Sequence, residues 1–201
     1  MTIRRPGAGP RSAVQLYEAT LSLLAEHGYD GLTIEGVAAA TGVNKTTIYR
    51  WWDSKDELLV DALINSVDFD LVVPDTGNVR DNLIGLVGQV RGLLTSRATA
   101  PTVASAFAAA AARPALAALV RRFFADRLKR ERTVLTRAVT RGEVDDEVDP
   151  QTVMDLLLGA LWLRVMFRDE PVGPDFDERV VDMVLYGIAR PSPPERLLWR
   201  P

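Results

Sequence analysis

The sequence predicts an all-α protein. Three observations predict it. Apolar residues recur every three or four positions along most of the chain, helix caps and stops punctuate those runs, and no stretch alternates apolar and polar residues as a half-buried strand does. Ser12 with Gln15 makes a capping box ahead of Ala13, Leu16, Ala19 and Leu23, and Gly28 ends that first helix. Thr33 is placed to cap a short helix over 34–41, and Asn44 another over 45–52. Ser54 and Glu57 form a second capping box, opening a helix through Leu58, Leu59, Ala62 and Leu63 to about residue 69. Pro74-Asp-Thr-Gly is a turn-rich link. Helical spacing resumes at Leu83, Leu86, Val87, Val90 and Leu94, continues over 101–112, and runs again over 114–141 with Gly142 as its stop. An acidic loop, 143–149, ends in Asp149-Pro150, an N-cap and first-turn proline for a helix to about residue 168. The last helix spans about 175–190, and 191–201 reads as a loose tail.

Composition narrows the function. There is no cysteine among the 201 residues, which excludes disulfides, thiolate metal sites and thiol nucleophiles. No signal peptide is visible at the N-terminus, and the longest apolar stretches fall short of the roughly 20 residues that span a bilayer. A cytoplasmic protein with no membrane partner is expected. The net charge of −3 is uneven: residues 1–55 carry +1 and the remainder −4. That distribution permits a nucleic-acid partner without demanding one.

The stretch "VAAATGVNKTTIYRWWDSK", 37–55, carries most of the functional signal. A helix-turn-helix needs a small residue where its helices touch, a glycine in the turn, and apolar anchors for the second helix. Ala38, Gly42, Val37, Val43 and Ile48 supply these. The second helix then presents Lys45, Thr46, Thr47, Tyr49 and Arg50. Its cations suit phosphates or a guanine edge, and its hydroxyls suit phosphates or thymine methyls. Lys55 falls in the first turn of the next helix, where a phosphate oxygen is expected. Trp52 is expected to pack inward near Leu16 and Leu23. Trp51 either packs at the domain edge or lies on the DNA backbone. Arg4 and Arg5 are either a minor-groove arm or a solvated end.

The segment "GYDGLTIEGVAAATGVNKTTIYRWWDSKDELL" resembles the DNA-binding domain of the TetR family of transcriptional repressors, through Gly28-Tyr29, Thr33, Ala38, Gly42, Thr47-Ile48-Tyr49 and Ser54-Lys55-Asp56-Glu57-Leu58. The resemblance implies DNA contacts from Thr33, Lys45, Thr47, Tyr49 and Lys55, a homodimer, and a C-terminal ligand pocket. With Asn44, Thr46 and Arg50 these complete the expected DNA-binding set. The architecture expected is a three-helix helix-turn-helix domain over residues 1–60, followed by a helical ligand-binding and dimerisation bundle over 61–201.

Within that second part, "TRGEVDDEVDPQTVMDLLLGALWLRVMF" resembles the C-terminal domain of one TetR subgroup, matching at Arg141-Gly142-Glu143 and Asp149-Pro150. The helix around Leu156–Leu163 is apolar on most sides and must be covered on both. Leu156, Gly159, Ala160 and Leu163, with Phe176, Val180, Val184 and Ile188 of the last helix, are expected to form a self-complementary dimer interface. Phe107, Phe123, Phe124, Arg127, Trp162 and Met166 are expected to line a pocket for a hydrophobic or aromatic effector.

Other functions are less well supported. With one histidine, an enzyme would need carboxylate or Ser/Lys chemistry, and no catalytic residue, cofactor or metal is expected. Glu143, Asp145, Asp146, Glu147 and Asp149 read as a solvated turn, since no EF-hand spacing is present. The alternative retained is a helical small-molecule carrier or partner-binding protein without specific DNA binding.

Overall fold

The structure, a computed structural model, describes residues 12–187, and every regular element among them is helical. The order is α1 (Ala13–Gly31), α2 (Ile34–Thr41), α3 (Lys45–Tyr49), α4 (Lys55–Asn65), a 3₁₀ turn (Val67–Phe69), α5 (Val79–Thr95), α6 (Ala100–Ala112), α7 (Pro114–Thr140), α8 (Pro150–Trp162), a π-helical turn (Leu163–Phe167) and α9 (Phe176–Tyr186). Arg4, Arg5 and Ile188 lie outside the described residues.

Local chemistry accounts for most boundaries. Thr33, Asn44, Ser54, Asn78 and Asp149 each accept a backbone N–H of the helix they open, satisfying donors that a helix start leaves orphaned. Glu57 returns the contact at α4 by accepting from Asp53 N–H at 3.1 Å. Ser12 is an exception. Its φ/ψ of −95°/15° is not the extended geometry a cap requires, and its hydroxyl makes no capping bond. Gly28 takes φ 67°, so α1 breaks there and resumes for three more residues, instead of ending.

α1, α2 and α3 fold around Leu16, Leu24, Val37 and Ile48, all buried, with α4 closing the cluster through Leu58 and Leu59. The remaining helices form a bundle in which α5 packs on α7, α8 and α9. The two parts share a seam: α1 packs on α6 and α4 on α7. Thr102 of α6 donates to the Leu21 carbonyl of α1 in the buried interior of that seam.

Two expectations for α9 are corrected. Phe176 and Val180 are buried in the chain's own core, not free for a partner. An amphipathic helix has one apolar stripe, and here the stripe of Phe176, Val180 and Val181 is taken by the bundle itself. Arg80–Asp182 (2.7 and 3.0 Å) and Arg91–Asp177 (2.8–3.0 Å) clamp α9 onto α5 beside it. Met183 and Tyr186 of α9 stay exposed.

Candidate functional site

The helix-turn-helix is α2, the Gly42 turn and α3. Gly42 sits at φ 70°, left-handed backbone that lets the chain reverse in three residues. Val37 and Ile48 are fully buried and fix both helices, while Asn44, Lys45, Thr46, Tyr49 and Arg50 are exposed and Thr47 is half-buried. Asn44 Oδ1 accepts from Thr46 N–H at 3.0 Å and from the Thr46 hydroxyl, so these two side chains shape the start of α3. Thr33 caps α2 by accepting from Gly36 N–H at 3.0 Å and remains exposed. Lys45 lies 3.9 Å from Glu35, a solvated pair that holds it loosely.

Trp52 anchors the recognition helix from below. It is buried, its indole N–H donates to Asp61 of α4 at 2.8 Å, and its ring meets Tyr17 edge-on at 5.9 Å. The Tyr17 hydroxyl donates to the same Asp61 carboxylate at 3.0 Å, tying α1, the end of α3 and α4 at one point. Trp51 is partly buried and packs against the hydrophobic core.

Lys55 departs from expectation. Its ammonium donates to the Tyr29 carbonyl at 2.8 Å and the Leu32 carbonyl at 2.9 Å, and sits 4.0 Å from the Tyr29 ring centre. The break at Gly28 leaves carbonyls at the end of α1 in need of donors, and Lys55 supplies them. Arg113, at the α6–α7 junction, lies 4.3 Å from the centre of the same ring and pairs with Asp30. The Tyr29 hydroxyl donates to Asp56, and burial together with that bond pushes the phenol up to about 12.

The second feature is a cavity of about 570 Å³ between α4, α5, α6, α7 and α8. Phe107, Phe123, Phe124, Arg127 and Trp162 line it. The aromatics form one cluster, with Phe107 4.5 Å from Trp162 and 5.4 Å from Phe124, and Phe123 5.3 Å from Phe124. Val60 and Leu63 of α4 complete one wall, so a helix of the DNA-binding part borders the cavity. Met166 does not line it. It lies in the π turn after Trp162, where the wider winding carries the chain off the cavity wall.

Sequence reasoning missed Glu131, which lines the cavity and is 5% exposed. Burial pushes its carboxyl up, against the opposing pull of Arg127 and Arg130. The signal was available: Leu116, Phe123, Arg127, Glu131, Val134 and Ala138 follow at helical spacing and are all buried, so one face of α7 carries both charges inward.

On the bundle's outside, Leu156, Gly159 and Ala160 of α8 and Leu163 of the π turn are exposed, and Val184 is half-buried. Phe167, Met183 and Tyr186 extend the apolar surface, and each of the large side chains is more than half exposed. The acidic loop has a structural part. Glu143 accepts from Val79 N–H at 2.6 Å and from Arg141, fastening the α7–α8 loop to the start of α5.

Comparisons with known proteins agree with this geometry. Residues 16–62 match the family model described as bacterial regulatory proteins, tetR family, and residues 73–184 match the tetracyclin repressor-like C-terminal domain. The chain is 36% identical over 175 residues to the uncharacterized HTH-type transcriptional regulator Rv1556 of Mycobacterium tuberculosis, covering 85% of this chain and 84% of that one. It is 34% identical over 187 residues to the DNA-binding transcriptional repressor TetR of Mycobacteroides abscessus, covering 92% and 97%. Among solved structures, the TetR family transcription regulator SCO0332 superimposes with a TM-score of 0.76 at 31% identity, over 89% of this chain and all of that one.

Proposed function

Since the chain belongs to the TetR family of bacterial regulatory proteins, we propose that it represses transcription as a homodimer on a near-palindromic operator and that a small molecule in the cavity releases it. The observation that carries this reading is α3, held from beneath by Ile48 and Trp52 while Lys45, Thr46, Tyr49 and Arg50 stand in solvent. A short helix so anchored enters a major groove as one rigid piece. Two such helices in a dimer read half-sites about 34–36 Å apart.

In this reading the apolar face of α8 and α9 packs on the same face of a second copy. Leu156, Gly159, Ala160 and Leu163 meet their symmetry equivalents there, joined by Met183 and Tyr186 in place of Phe176 and Val180. Effector binding couples to DNA through α4, whose Val60 and Leu63 border the cavity, and through Arg113 on the Tyr29 ring. Release follows if the effector favours a dimer whose half-site spacing no longer fits the operator.

The test is selection of bound duplexes from a random pool at physiological salt. The wild-type protein should enrich a near-palindromic site, and Tyr49→Ala should lose it. Binding confined to the non-specific range, roughly 10⁻⁴–10⁻⁶ M, would refute the operator reading and leave a carrier or partner-binding protein.

A further inference from the structure

The cavity is almost wholly apolar, and its charged lining is Arg127 and Glu131, both buried on α7, with the exposed Asp155 of α8. Arg127 and Glu131, one turn apart on α7, are 8% and 5% exposed, and both line the space. The Arg127 guanidinium lies 5.0 Å from the Phe123 ring centre, so it is partly held by the aromatic wall. Glu131 differs. Among the described residues no hydrogen bond and no ion pair within 4.0 Å reaches its carboxylate, although Arg127 and Arg130 are near enough to act on it through space. A buried acid without a donor is costly, and proteins rarely keep one that nothing ever satisfies.

Building on the reading of this cavity as the effector site, we propose that Glu131 is its hydrogen-bond acceptor and that the effector is a neutral, largely aromatic molecule with a hydroxyl that donates to it. The charges select the class. An anionic ligand would bring a second negative group against Glu131 in a low-dielectric space, and a cationic one would face Arg127 at the same end. A neutral donor meets neither penalty, and it satisfies the buried Glu131 carboxyl. Phe107, Phe124 and Trp162 supply faces and edges for the rings. A volume of about 570 Å³ admits several fused rings.

Calorimetric titration of the full-length protein with hydroxypyrene, methoxypyrene and pyrene carboxylate tests this. These probes share one apolar body and differ only in the polar group. Hydroxypyrene should bind about tenfold more tightly than methoxypyrene, the worth of one buried hydrogen bond. Glu131→Leu should abolish that preference by weakening the hydroxyl probe alone. Glu131→Gln, which keeps an acceptor in the same shape, should retain most of it and guards against a folding defect in the Leu variant. Equal affinities for the hydroxyl and methoxy probes in the wild type would overturn the proposal. So would a preference that survives in folded Glu131→Leu, or tightest binding of the carboxylate. If all three pyrenes fail to bind, the effector reading of the cavity falls with it. If they bind alike, only the role of Glu131 does.

Discussion

Lys55 and Lys45 occupy similar positions in the sequence pattern, each a cation at the start of a helix, yet the structure gives them different work. Lys45 stands in solvent beside Glu35, whereas the Lys55 ammonium is committed to the carbonyls of Tyr29 and Leu32. Lys55→Ala should therefore lower the melting temperature, since stranding two partly buried carbonyls costs about 1–3 kcal/mol. It should leave the salt dependence of DNA binding nearly unchanged. Lys45→Ala should do the reverse, reducing the slope of log K against log salt by about 0.9 for one phosphate contact. Anisotropy titrations at several salt concentrations, with thermal melts of both variants, check this. A slope lost in Lys55→Ala with the melting point intact would return Lys55 to the phosphate role that the sequence pattern suggests. That distinction was not legible in the sequence. The acceptors lie 26 and 23 residues upstream of Lys55, and only the α1–α4 packing brings them within reach.

At the level of elements, two contacts join the C-terminal bundle to the DNA-binding helices. The inner face of α4 runs from Leu58 and Leu59, in the helix-turn-helix core, to Val60 and Leu63 on the cavity wall. Arg113, at the α6–α7 junction, presses on the Tyr29 ring from within 4.3 Å while Lys55 lies 4.0 Å from the same ring. Arg113→Ala should leave operator affinity within about threefold of wild type, as expected for a partly exposed ion pair and cation–π contact. It should sharply reduce the loss of affinity on adding an effector. Operator binding measured with and without a saturating ligand reads both quantities. An unchanged response would place the coupling in α4 alone. The helices themselves were mostly legible, because Thr33, Asn44, Ser54 and Asp149 cap what they were expected to cap. The break at Gly28 was legible only as a stop, since resumption of α1 depends on Leu32 N–H bonding back to the Gly28 carbonyl.

For the whole molecule, the proposed dimer rests on the exposed apolar side chains Leu156, Leu163, Phe167, Met183 and Tyr186. An exposed patch of that kind marks an interaction site in a soluble protein. Light scattering should find a species of twice the 22.1 kDa chain mass at micromolar concentration. Leu156→Glu with Leu163→Glu should convert it to the single-chain mass without lowering helix content by circular dichroism. A wild-type protein that stays at the single-chain mass would remove the two-fold operator geometry along with the dimer. The sequence by itself determined the helical class, the helix-turn-helix and the exposed groups of α3, because caps, glycines and apolar spacing act over a few neighbouring residues. Only the tertiary structure decided that Phe176 and Val180 serve the chain's own core, that Lys55 serves α1, and that Glu131 faces the cavity. A helical stripe states which residues avoid water, whereas which surface covers them is settled by elements far apart in the chain.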